Sequence, residues 1–422
     1  MSFDVLLKGG SLADGSTADI AISGTKIAAI EPAIEAEAGQ IIDISGNLVS
    51  APFVDPHFHM DATLSYGIPR INQSGTLLEG IALWGELKPQ LTHEAVKQRA
   101  LDYCDWAVSM GLLAIRSHVD VCDDRLLAAE ALIEVRKEVA GYIDLQLVAF
   151  PQDGLYAMEN TVRALDLGLD VVGGIPHFER TMEDGRRSVT HLCEIAEQRG
   201  LQVDMHCDET DDPQSRHIEQ LACETQRLGL QGRVAGSHLT SMHSMDNYYV
   251  SKLLPLIAEA QVSAIPNPLI NITIQGRHDT YPKRRGMTRV PEMLAHGIRV
   301  GWGQDCVLDP WYPLGTADML DVAFMGLHVA QMTSPAEMQH CFDMVTNQNA
   351  AIMNLQDYGL AVGKKASLVV LDAGNPIEAI RLRPERLLVM AKGKVVARRE
   401  RQDTELSLKG RPSRVNRRHR TP

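Results

Sequence analysis

The chain is 422 residues long, 45% hydrophobic and 23% charged, which is ordinary for a globular protein. Its 41 basic and 54 acidic residues leave a net charge of −13, which argues against a nucleic-acid binder, since such proteins need a basic face. No run of 18 apolar residues is present to cross a membrane, and the opening "MSFDVLLKGG", with its early acid, does not read as a signal peptide.

In chain order, residues 1–50 read as short strands. "FDVLLKGG", "ADIAISGTKIAAI" and "QIIDISGNLVS" alternate or run apolar between Gly, Asp and Ser clusters. Eight apolar runs follow. They are "NLVSAPFVDPH" (47–57), "LLAIRSHVD" (112–120), "IDLQLVAFPQ" (143–152), "LDVVGGIPH" (169–177), "LQVDMHCDE" (201–209), "RVAGSHLT" (233–240), "VSAIPNPL" (262–269) and "IRVGWGQD" (298–305). Helix-period stretches such as "RLLAAEALIEVRKEVA" and "RSVTHLCEIAEQRG" separate them. Continuous apolar strands alternating with helices imply a parallel sheet covered on both faces. Eight such units over roughly 260 residues match an α/β fold of the (β/α)8 TIM barrel type, for which about 250 residues is typical. A doubly wound open sheet is the alternative, but no GxGxxG follows the first strand.

Near the C-terminus, "GKKASLVVLDAGNP" and "RLLVMAKGKVVARR" resemble the first fifty residues in pattern. The expected organisation is a small β-sandwich from 1–50 together with 358–405, a barrel over 51–357, and a basic, flexible tail over 406–422. Seven cysteines lie scattered with no CxxC, so neither a disulfide framework nor a thiolate zinc site is expected. Reduced thiols point to a cytoplasmic protein.

The polar residues gather at the C-terminal ends of the apolar runs, which is where a barrel carries its active site. His57 and His59, at i and i+2 on one strand, point the same way and can reach one ion. His206 ends the fifth run, with Glu209 three residues on; His238 ends the sixth and Asp305 the eighth. Any one alone is more often a satisfied core histidine or a helix cap. Together, nitrogen and oxygen ligands without thiolate suit one divalent ion, Zn2+ or Fe2+. "HFE" occurs at 177–179, but no PCxxC accompanies it, so the HxE…PCxxC deaminase design is excluded.

These segments carry a family resemblance. "FVDPHFHMDAT", "NQSGTLLEGI", "VDMHCDETDDPQSR", "NPLINITIQGRHDTYPKRRGMTRVPEML" and "DPWYPLGTADMLDVAFMGLHV" resemble the metal-dependent amidohydrolase superfamily, within it the bacterial cytosine deaminase branch. The resemblance spans nearly all of residues 45–360. It implies metal ligands at His57, His59, His206 and Asp305, and catalytic roles for Glu209, His238 and Asp305. The fourth strand ends "GGIPHFE" without a lysine, which implies a mononuclear site.

The implied chemistry is hydrolytic deamination in pyrimidine salvage: a hydroxide supplied by the ion attacks an amidine-like carbon. Asp305 takes the water's proton, Glu209 protonates the ring nitrogen, and His238 hydrogen-bonds the developing oxyanion. Gln152 reads the ring, since a primary amide complements an N1–H beside a C2=O; a turn glutamine satisfied by backbone is the alternative. Trp311 in "DPWYP" caps the pocket, or else is a core tryptophan. Leu77 lies in the loop 72–80 expected over the substrate.

The chain departs from the branch at Cys306, where cytosine deaminases read "DD". A thiol there removes a charge and frees volume beside the substrate. The expected substrate is therefore a small-molecule pyrimidine, cytosine or, favoured by Cys306, 5-methylcytosine and other 5-substituted cytosines. Alternatives are another amidine-like heterocycle (isoguanine, creatinine or s-triazine) or, more remotely, a noncatalytic binding protein. The family resemblance also implies a homo-oligomer.

Overall fold

Alternation of apolar and polar positions makes strands of the first fifty residues, and Gly, Asp and Ser turn the chain between them. β1 (Phe3–Ser11), β2 (Thr17–Ser23), β3 (Lys26–Glu31), β4 (Ala38–Asp43) and β5 (Leu48–Ser50) begin a sheet that the other end of the chain completes. The structure, a computed structural model, describes residues 2–154, 157–401, 404–415 and 417–418.

The central region alternates strand and helix. The order is β6 (Phe53–Phe58), α1 (Leu77–Leu87), α2 (His93–Ser109), β7 (Leu112–Asp120), α3 (Leu127–Val139), β8 (Asp144–Phe150), α4 (Met158–Leu167), β9 (Val171–Gly174) and α5 (Met182–Arg199). It continues with β10 (Gln202–Cys207), α6 (His217–Leu228), β11 (Val234–His238), α7 (Asn247–Glu259), β12 (Ser263–Ile265) and α8 (Pro268–Ile274). The seven strands form one parallel sheet in chain order, β6 to β12. β7, for example, is buried at every residue, so it has no polar face and reads as a continuous apolar run.

The sheet is nearly closed into a barrel. Residues 298–305 lie between its two edges and touch both through single parallel bridges, Ala264↔Val300 and Phe58↔Asp305. Side chains replace much of the ladder here. Asp55 Oδ1 accepts the N–H of Gln304 at 3.0 Å, and Asn349 Nδ2 donates to the carbonyls of Val54 and Trp302 at 2.7 and 2.9 Å. Gly303 permits the close approach: a Cβ there would lie 2.3 Å from Asn267 Oδ1.

β13 (Leu368–Leu371), β14 (Arg386–Ala391) and β15 (Lys394–Arg398) then complete the first sheet, in the order β15-β14-β13-β5-β1-β2-β3 with β4 parallel to β1. Leu7, Ile20, Ile22, Leu368 and Val370 pack one face, and Leu6, Ala21 and Ile34 the other. The tail expected to be flexible is, in its described part, tied to this sheet: Arg418 donates to Gly46 O at 2.7 Å and Asn47 Oδ1 at 2.6 Å. In the basic segment 280–286, Arg284 pairs with Asp279 at 2.6 Å, while Lys283 and Arg285 donate to the carbonyls of Gly276 and Val329 at 3.2 and 3.1 Å. Among the described residues no helix is long and apolar enough to cross a membrane.

Candidate active site

The strand ends bring the predicted residues together because parallel strands in register share one mouth. β10 and β11 pair His206 with Ser237 and Cys207 with His238. At His238 and Asp305 the backbone is left-handed, φ +70° and +68°. Such φ values in non-glycine residues cost on the order of 1–3 kcal/mol and cluster at functional sites; here they coincide with side chains facing the same cavity.

Five side chains converge. Ligand atoms of His57, His206, His238 and Asp305 lie within 4.8 Å of one another. His59 Nε2 adds a contact of 3.0 Å to His206 Nε2 and 3.4 Å to Asp305 Oδ1. That is one histidine more than the four-ligand set implied by the resemblance. Hydrogen bonding singles out His238. Asn271 Oδ1 accepts the N–H of Asn267 at 2.9 Å, which turns its Nδ2 toward His238 Nδ1, 2.8 Å away. His238 Nδ1 therefore accepts and its proton sits on Nε2, so the ring can donate from that nitrogen. His59 has no such partner among the described residues.

The set fits a divalent cation. His57 Nε2 is buried 3.4 Å from Asp305 Oδ1, with no hydrogen-bond partner among the described residues. Imidazole nitrogens with a carboxylate oxygen and no thiolate form a set that Zn2+ or Fe2+ accepts.

The two acids differ. Burial, reinforced by the charge of Asp305, pushes the Glu209 carboxyl well above its ordinary range. Burial alone would raise Asp305 as well, but His238 and His57 beside it hold its carboxyl well below the usual range. Glu209 Oε1 lies 3.2 Å from His238 Nδ1. Its turn is pinned by Asp208, which accepts the N–H groups of His217 and Ile218 at 3.0 and 2.9 Å and so anchors the start of α6.

Gln152, Cys306, Trp311 and Leu77 all line the same cavity as His59, His206, Glu209, His238 and Asp305, with His57 just beneath. The backbone N–H of Gln152 donates to Phe150 O at 2.9 Å, while its side-chain amide has no protein partner among the described residues. The Cys306 thiol is pushed well up by burial and by the nearby carboxyls of Asp305 and Asp309. Asp309 Oδ1 also accepts the N–H groups of Trp311 and Tyr312, each at 2.9 Å. The Trp311 indole lies on Gly80 of α1: a Cβ at Gly80 would come within 2.4 Å of Trp311 Cδ1. Asn72 Nδ2 donates to Pro310 O at 3.1 Å and ties the two loops together.

Seven of the lining residues escape the sequence reading, among them Phe150, His177, Ile270 and Ile274. Phe150 stacks on His206 at 4.2 Å, and His177 lines the cavity with Nδ1 3.2 Å from His206 O, its pKa lowered to about 4 by burial. Ile270 and Ile274 face in from α8. The strand-end rule that found the other histidines also points to His177, and the i, i+4 spacing in "NPLINITI" points to the isoleucines.

Comparison with known proteins gives a consistent result. A family model described as "Amidohydrolase family" matches residues 40–397. The structure is similar to that of 5-methylcytosine deaminase from Klebsiella pneumoniae liganded with phosphonocytosine: TM-score 0.91, 42% identity, covering 94% of this chain and 99% of that one. With 5-fluorocytosine bound to the same enzyme the figures are 0.90, 41%, 95% and 98%. N-isopropylammelide isopropyl amidohydrolase from Pseudomonas sp. (strain ADP) is 30% identical over 410 residues, 94% of this chain and 98% of that protein.

Proposed function

The chain belongs to the amidohydrolase family, and on that premise we propose that it hydrolyses the exocyclic C–NH2 of a free pyrimidine base and releases ammonia. It is a metal-dependent hydrolase of C–N bonds, and its substrate is a cytosine. We assign 5-methylcytosine as the preferred base, with cytosine and 5-fluorocytosine also accepted, and thymine, uracil and 5-fluorouracil as the respective products. The observation that carries this reading is the convergence of His59, His206, His238, Asp305 and Glu209 on one cavity, where burial raises the Glu209 carboxyl and neighbouring imidazoles lower that of Asp305.

His57, His59, His206 and Asp305 would hold one ion, Zn2+ or Fe2+. When bound, such an ion supplies the nucleophile by lowering the pKa of water toward about 7. Asp305 accepts the proton released as that nucleophile forms. Glu209 delivers its proton to the ring nitrogen next to the attacked carbon, a transfer worth roughly 10²–10⁴-fold. His238 donates from Nε2 to the oxygen on which charge develops. The unpartnered amide of Gln152 complements the N1–H and C2=O edge of the base. Trp311 and Leu77 close the cavity over it.

Cys306 sets the preference among bases. A buried thiol behaves as a small hydrophobe, and burying one methyl group is worth about 0.8 kcal/mol, or about fourfold in kcat/KM. The test is ammonia release from cytosine, 5-methylcytosine, 5-fluorocytosine, isoguanine, creatinine and an s-triazine, with wild type and Cys306→Asp. The expected result is a preference for 5-methylcytosine that the aspartate variant loses. A gain on 5-methylcytosine in that variant would refute the specificity assignment. The relative from Pseudomonas sp. (strain ADP) favours the s-triazine as the second reading. A noncatalytic binding protein would release no ammonia from any of these.

We take residues 298–305 as the eighth strand of a closed (β/α)8 barrel, on the strength of their bridges to β12 and β6. We take the separate sheet as a β-sandwich domain of 1–50 with 358–405, around the barrel of 51–357. Seven unpaired cysteines support a cytoplasmic location. A homo-oligomer, tested by light scattering, follows from the family resemblance alone.

A further inference from the structure

Beneath the imidazoles the barrel interior is not packed with apolar layers. Arg116 on β7 is buried at the barrel centre, 1% exposed. Its Nη1 donates to Asp204 Oδ2 on β10 at 3.1 Å, its Nε to Gln146 on β8 at 3.0 Å, and its Nη2 to Gln202. Asp204 is fully buried, and its other oxygen, Oδ1, lies 2.7 Å from the hydroxyl of Ser237 on β11. Ser237 Oγ in turn lies 2.9 Å from His57 Nδ1.

The direction of each bond in this chain follows from chemistry. A carboxylate paired with arginine only accepts, so the Ser237 hydroxyl must donate to Asp204. Its remaining lone pairs can then only accept, so His57 Nδ1 must carry the proton. His57 Nε2, the nitrogen that faces Asp305, is left with a lone pair. We infer that Asp204, acting through Ser237, fixes the tautomer of His57 and holds its Nε2 open for the cation. Asp204 and Ser237 are thus positioning residues for a ligand they do not accompany to the ion. Outer partners of this kind typically change metal affinity by about 10–100-fold.

A rival use of the same groups is a second cation site, since His57, His118 and Asp204 also bring ligand atoms within 4.8 Å. The charge of Asp204 is already met by Arg116, and the Ser237 hydroxyl occupies the approach to His57 Nδ1, so a positioning role accounts for more of the contacts.

The inference rests on the assignment of His57 as a metal ligand. It is tested without any pyrimidine present, so failure of the deaminase reading leaves the test intact. Zn2+ affinity is measured by chelator competition on the full chain, with thermal stability of the zinc-free protein as the control for folding. Ser237→Ala is expected to weaken Zn2+ binding about 10–100-fold.

Asp204→Asn is expected to weaken it further. The asparagine carbonyl must face Arg116, its NH2 must donate to Ser237, and the serine hydroxyl then donates to His57 Nδ1. That reversal puts the proton on Nε2, the nitrogen the cation needs. Imidazole 15N chemical shifts of the zinc-free protein, selectively labelled at histidine, should show the Nδ1–H tautomer for His57 in wild type and its loss in both variants. Wild-type zinc affinity in Ser237→Ala, or an Nε2–H tautomer in wild type, would overturn the relay. So would two Zn2+ per wild-type chain falling to one in Asp204→Asn. If Asp204→Asn does not fold, Ser237→Ala and the wild-type tautomer decide the question alone.

Discussion

The turn beyond β10 and the segment 298–316 each present one buried acid to the same cavity, and they hold it in opposite states. Glu209 has burial and a nearby negative charge against its ionisation; Asp305 is just as buried but sits among imidazoles. Burial alone therefore does not decide protonation; the neighbouring groups do. The regions also differ in how they are built. β10 is a regular strand paired on both sides, whereas 298–305 is held by single bridges and by the side chains of Asp55 and Asn349. One region presents its acid from beyond an ordinary ladder, the other from a left-handed turn fixed by tertiary contacts.

The comparison is broken most severely at Asp305. On the proposed roles, Asp305→Asn removes both the proton acceptor and a ligand atom; kcat/KM should fall by roughly 10⁴-fold, at the top of the range for a proton-transfer group, and zinc content should fall with it. Glu209→Gln should lower kcat by roughly 10²–10⁴-fold while zinc content, read by metal analysis, stays at the wild-type level. If both variants lose metal equally, the division of labour between the two acids is wrong.

The same difference predicts a pH profile. In the proposed mechanism Glu209 works in its protonated form, and its pKa is raised, so activity is expected to be retained from acid into neutral pH and to decline as pH rises through that raised value. The alkaline limb should vanish from the residual activity of Glu209→Gln. A limb that persists unchanged belongs to another group.

A smaller effect is expected where Trp311 packs on α1 beside the cavity. Gly80→Ala places a methyl group against the Trp311 indole. Overpacking of this kind costs about 1–3 kcal/mol, so KM should rise roughly 10-fold with metal content unaltered. The smallest effect is the roughly fourfold change in base preference expected at Cys306.

Much of this was legible in the chain. Seven of the eight apolar runs are strands of one parallel sheet, and every residue picked out at their ends faces or underlies one cavity. The eighth run was visible by composition, yet it forms no regular ladder, because Gly303 and the polar groups of Asp55 and Asn349 take over its pairing. Phe150, Ile270 and Ile274 were harder to see, since an apolar wall residue looks like any other core residue until the cavity exists.

The sequence by itself determined the alternation of strand and helix and which strand ends carry His57, His59, His206, His238, Glu209 and Asp305. Periodicity and residue chemistry are local properties, and a parallel barrel collects its strand ends at one mouth. Only the tertiary structure decided which nitrogen each imidazole offers and which acid keeps its proton. Those states depend on Asn271 beside His238, Ser237 and Asp204 beneath His57, and Asp305 against Glu209. These partners come from other strands, helices and loops, and hydrogen bonds and charges act through space rather than along the chain.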